Sequence, residues 1–70
     1  MEFVKIIDIY GDAHYIPKES IRYIRDDNFN LVGGEAVKSI IGYESDGGFD
    51  TIYMENKSST VVANLIIVTI

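Results

Sequence analysis

The stretch AVKSIIGYESDGGFDTIYME, residues 36–55, decides the fold class. Its first half alternates, with Val37, Ser39, Ile41 and Tyr43 on one face of an extended chain. Ser45-Asp46-Gly47-Gly48 then interrupts the run, and Asp-Gly between alternating apolar residues is among the strongest short-range hairpin signals, because both central residues of a type I′ turn need positive φ. Phe49 to Glu55 pairs back. The hairpin is not an isolated β-signal. Ile, Val, Tyr, Phe and Thr together make 29 of the 70 residues, with 12 Ile against 2 Leu. Stiff β-branched and aromatic side chains lose rotamer freedom in helices and pack well on pleated surfaces. The expectation is an all-β domain over residues 1–70: five or six short strands in a small barrel or sandwich, joined by tight hairpin turns.

Glu2 to Tyr10 (EFVKIIDIY) reads as a central strand, apolar on both faces. Gly11-Asp12 suits a two-residue type II′ turn, returning the chain along Ala13 to Ile16. Pro17 cannot donate to a ladder, but its preset φ favours one helical or 3-10 turn through Pro17-Lys18-Glu19-Ser20. Ile21 to Asp26 follows as a strand, with a nine-residue helix over Pro17 to Arg25 as the rival reading. Asp27 to Glu35, containing Gly33-Gly34, reads as a loop, and Asn56-Lys57-Ser58 as another tight turn.

Thr60 to Ile70 reads as the last strand. Val61, Ala63, Leu65, Ile67 and Thr69 fall on one face, and Val62, Asn64, Ile66, Val68 and Ile70 on the other. A 70-residue chain buries only roughly 60% of the surface its unfolded state exposes, so it has little core to cover both faces of such a strand. A bare apolar edge aggregates. A second copy of the chain is therefore expected to cover Val62, Leu65, Ile66, Ile67, Val68 and Ile70, unless the segment is the central strand of a tightly wound barrel.

Zero Cys removes disulfides and thiolate metal sites, and a single His leaves little for a His-based site, so no metal and no cofactor is expected. The net charge of −5 is spread over both halves of the chain, which speaks against wrapping long nucleic acid, a mode of binding that rests on phosphate neutralisation. The longest charge-free run, Ser58 to Ile70, has 13 residues, short of the roughly 20 a spanning helix needs. Met1-Glu2-Phe3-Val4-Lys5 lacks the basic start of a secretory signal, so the chain reads as cytoplasmic, with no membrane partner. The excess of Ile over Leu fits an AT-rich source such as a low-GC bacterium or its phages.

Asp26-Asp27-Asn28-Phe29-Asn30 opens like a calcium loop but lacks its Gly and its closing Glu, since Leu31 and Val37 stand at those positions. His14, Asp8 and Asp12 cluster around the first turn. A His there is usually a surface or pairing residue, and Asp8 is expected to pair with Lys5 or an Arg, so an enzyme is not the expectation. Arg22-Tyr23-Ile24-Arg25, with Lys18 just before, is the better site. Arg forks match phosphate or carboxylate oxygens, and Tyr stacks on bases. The expected function is a non-enzymatic, homo-oligomeric binding protein that sequesters a small anionic ligand, such as a nucleotide signal, at subunit interfaces through Lys18, Arg22, Tyr23 and Arg25. The alternative is an acidic inhibitor that docks on a host protein through Asp26, Asp27, Glu44, Asp46 and Asp50.

Val4 to Ile24 resembles the opening of the small bacterial flagellar FlbD-like family: an apolar strand, Gly11 in a turn, a strand ending Tyr15-Ile16, Pro17, then Ile21-x-x-Ile24. Thr51-Ile52-Tyr53-Met54 looks like that family's next strand. The resemblance covers about a third of the chain. Asn28 to Gly48 is an insertion relative to it, Asn56-Lys57 stands where the family has Gly, and the apolar end has no counterpart. It implies a small cytoplasmic β-domain with a flagellar accessory role and no catalytic residues to carry over.

Overall fold

The Asp46-Gly47 turn forms as read. In the computed structural model, which describes residues 1–70, Asp46 has φ 43° and Gly47 φ 77°, and Ser45 pairs with Gly48 across the turn. Asp tolerates the left-handed region better than most residues, and Gly enters it without a Cβ penalty. The turn joins β4 (Ala36–Ser45) to β5 (Gly48–Met54). On the other side of β4 lies β3 (Ile21–Asn30), giving an antiparallel sheet of order β3-β4-β5. A second antiparallel sheet has order β2-β1-β6, with β1 (Glu2–Ile7) central between β2 (Ala13–Pro17) and β6 (Ile66–Thr69). The chain is thus mostly β, in two three-stranded sheets that do not close into one barrel. Their facing sides supply one core: Val4, Ile6 and Ile16 from the first sheet, Ile41, Ile52 and Met54 from the second.

Several segments depart from the sequence reading. The Gly11-Asp12 turn is part of a five-residue loop. The Asp8 carboxylate accepts from the Tyr10 and Asp12 amides at 2.9 and 3.0 Å, which ends β1 at Ile7. Gly11 sits at φ 86° in that loop. β1 is central but buried on one face only, with Val4 and Ile6 inside and Ile7 exposed. Lys18–Ser20 forms the expected single 3-10 turn, and Ile21 onward is strand, not the rival helix.

The first four residues of the expected loop, Asp27 to Asn30, are strand as well. β3 runs to Asn30, and the true turn is Leu31 to Glu35, closed by the Leu31 amide on the Glu35 carbonyl at 2.9 Å. β3 accommodates its extra residues through register shifts between Ile21 and Tyr23 and between Asp26 and Phe29.

The eleven-residue terminal strand does not form. Ser58–Ala63 is a short helix, α1, and only Ile66–Thr69 is strand. β1 is only six residues long, Glu2–Ile7, so an eleven-residue strand in this register would overrun it. Six residues are too few to hold a helix by propensity. Tertiary contacts hold this one: Val61 is buried in the core and the Asp26 carboxylate accepts from the Ser58 amide at 2.8 Å, while the Asn64 side chain closes the end locally by donating to the Thr60 carbonyl. No helix is long and apolar enough to cross a membrane.

Candidate functional site

The register of the second sheet sorts its side chains into two faces. Ile41, Ile52 and Ile24 point to the core. On the opposite face Tyr23 pairs with Gly42, Gly42 with Thr51, Arg25 with Ile40, and Ile40 with Tyr53. The extra residue in β3 between Ile21 and Tyr23 resets the alternation, so that Ile21 stays with the core while Tyr23, and with it Arg25 two residues on, faces outward. Gly42 is required there by close approach: a Cβ at this position would lie 2.3 Å from Tyr23 Cζ, so the ring rests directly on the β4 backbone.

The aromatic rings on this face are ordered. The Tyr23 and Phe49 centroids are 5.9 Å apart, and Phe29 meets Tyr53 edge-on at 5.6 Å. Beneath them Ile40 is almost fully covered although it lies on the outer face. The Arg25 guanidinium sits 4.7 Å from the Tyr23 ring centroid and carries no ion pair. The result is a half-exposed aromatic platform with one uncompensated, stacked cation.

The four residues singled out from the sequence separate into two pairs. Tyr23 and Arg25 come together. Arg22, at the bulge, donates through Nε to Glu44 at 2.8 Å and through Nη1 to the Glu19 carbonyl at 2.8 Å. The hydrogen bond and charge of each partner raise the Arg22 pKa and lower that of Glu44. Lys18 lies 3.4 Å from the Glu2 carboxylate in the other sheet. Phe49 escaped the sequence reading, which offered Tyr53 only as one of several further rings. The Asp46-Gly47 turn does place Thr51 opposite Gly42 in the register, but pairing with β3 depends on a bulge that has no sequence mark.

A second constellation lies at the seam of the two sheets. His14 Nε2 is 2.7 Å from Asp8 Oδ2, so the partner of Asp8 is His14 and not Lys5 or an Arg as expected. Burial pushes the Asp8 carboxyl up. The His14 hydrogen bond and the Asp12 and Tyr10 amides outweigh it, leaving the pKa below the ordinary carboxylate value. Tyr43 lies with His14 along grooves of about 570 and 250 Å³, and burial with the nearby Asp50 charge pushes its phenol up. Both Asp8 oxygens are spent, one on amides and one on His14, which makes the pair a clasp for the first loop.

The calcium-loop echo dissolves in the structure. Asp26 accepts from Ser58 and Asp27 from the Asn28 amide, both within a bulged strand. The six apolar positions expected at an interface divide between α1 (Val62), its exit (Leu65) and the β6 strand with its end (Ile66, Ile67, Val68, Ile70). Val62, Ile66, Ile67 and Ile70 are exposed, and Leu65 packs on the core. Comparison of the chain with protein-family models, curated proteins and solved structures finds no match.

Proposed function

We propose that this chain is a non-enzymatic binding protein that holds a small anionic ligand with a planar ring, of nucleotide chemistry, on the outer face of the second sheet, and that it works as a homo-oligomer. The scaffold is read as a two-sheet sandwich around the shared core. One observation carries the ligand reading: Arg25 is stacked over Tyr23 at 4.7 Å without an acidic partner, in a chain where acids outnumber bases. An unpaired guanidinium held flat by an aromatic ring offers a fork to phosphate or carboxylate oxygens, and neighbouring rings offer stacking faces. Arg22 and Lys18 are already neutralised by Glu44 and Glu2, so the reading narrows to Tyr23 and Arg25, with Phe49 and Tyr53 as further platform. The acidic-docking alternative draws less support, because Asp26, Asp27 and Glu44 are engaged within the molecule.

The test is thermal denaturation across a panel of nucleotides. Ligand that binds only the folded state at a hundred times its Kd adds about 2.7 kcal/mol. A raised Tm for at least one nucleotide is expected, with Arg25→Gln weakening that ligand tenfold or more while leaving the unliganded Tm in place. A panel without any shift, or a shift that Arg25→Gln leaves intact, overturns the reading.

A further inference from the structure

Two sheets of three strands leave four edges, and three of them are guarded. The β2 edge ends in Pro17, which has no amide to offer. The β3 edge is broken by two register shifts and carries Arg22, Arg25, Asp26 and Asp27. The β5 edge carries Asp50, and its Tyr53 carbonyl already accepts from the Ile9 amide at 2.9 Å. β6 has none of these devices. Ile66–Thr69 holds no charge, no Pro, no Gly and no bulge, and its exposed side chains include Ile66 (53%) and Ile67 (44%).

The direction of its free backbone groups follows from the ladder. Met1 and Ile70 exchange both bonds, at 2.9 and 3.0 Å. Hydrogen-bonded pairs alternate in an antiparallel ladder, so Phe3–Val68 and Lys5–Ile66 are the next such pairs. Ile67 and Thr69 therefore turn their N–H and C=O groups away from β1, toward whatever lies beyond the edge.

We propose that a second copy of this chain occupies that edge, with β6 pairing antiparallel to β6 across a two-fold axis to make one sheet of order β2-β1-β6-β6-β1-β2. The inference deepens the homo-oligomer reading above by naming its surface. A two-fold pair sets each strand against its own side chains. For β6 this opposes only apolar residues and Thr69, whereas the β3 and β5 edges would carry charged side chains into the seam. Two copies that each carry −5 repel elsewhere, and the charge-free strand is where they can meet. Pairing brings the outward groups of Ile67 and Thr69 into hydrogen bonds and buries Ile66 on one continuous face.

Light scattering after size exclusion tests this, together with amide exchange. The wild-type chain is expected at twice 7.9 kDa, with the Ile67 and Thr69 amides protected. Thr69→Pro removes an outward donor that β1 does not use, and Ile66→Lys sets two charges into the seam without touching the backbone. Each is expected to raise the dimer dissociation constant at least tenfold, with the β circular-dichroism signal retained. A wild-type monomer overturns the oligomer reading and this mode together. A wild-type oligomer whose Ile67 and Thr69 amides exchange freely, or one that Ile66→Lys leaves intact, overturns β6 pairing alone.

Discussion

Gly42 shows how one residue governs the candidate site. Its neighbours in β4 have side chains, and any of them at this position would put a Cβ into the Tyr23 ring. Gly42→Ala is expected to evict that ring and uncouple Tyr23 from both Phe49 and Arg25, at a cost of no more than about 1 kcal/mol because the half-buried ring can swing aside. Chemical denaturation reads the first effect, and loss of the tyrosine near-ultraviolet circular dichroism reads the second. Unchanged near-ultraviolet signal would show that the ring does not depend on the glycine. None of this was legible in the sequence, where Gly42 reads as a neutral interruption of an alternating strand. His14 and Asp8 were legible as candidates, but not as a pair, because their contact depends on a loop that Asp8 itself shapes.

At the scale of elements, the terminal segment is where local preference and tertiary context disagree. Val61 and Val62 favour a strand, yet they lie in α1. Val61 is the anchor that decides it, 5% exposed in the core shared by the two sheets. Val61→Ala removes two buried methyl groups and is expected to cost about 2 kcal/mol, measured by urea unfolding. Amides of α1 and β6 should then exchange before those of β4, because α1 leads directly into the edge strand. If all amides accelerate together, α1 is not a separate unit of local stability. The hairpin β4–β5 is the opposite case. There turn chemistry, alternation and burial agree, and the expected hairpin forms.

For the whole molecule, three carboxylates tie together parts of the chain that are distant in sequence or across a loop. Asp8 holds the first loop and His14, Asp26 the start of α1, and Glu44 the Arg22 bulge. Hydrogen bonds from these partners hold all three below their ordinary values, against burial that is the largest single influence on Asp8. A group whose pKa is depressed by folding binds fewer protons in the native state than in the unfolded chain. Its stabilisation is present above the unfolded value, near pH 4, and is lost as pH falls through the depressed one. Stability should therefore fall below about pH 4, and Asp8→Asn should flatten that acid limb. Thermal unfolding followed from neutral to acid pH checks this, and an acid limb identical in Asp8→Asn would remove Asp8 from the account.

The sequence by itself determined the β class, the Asp46-Gly47 hairpin, a break in the ladder at Pro17 and the central place of the first strand. Each of these rests on interactions between near neighbours or on composition. Tertiary structure alone decided that β3 is bulged, that Tyr23 and Arg25 face outward while Arg22 and Lys18 are neutralised, and that Thr60 to Ile70 divides into helix and edge strand. Those outcomes depend on which partners remain available once the two sheets have met: a strand of six residues to pair with, a core position for Val61 and carboxylates within reach of two of the cations.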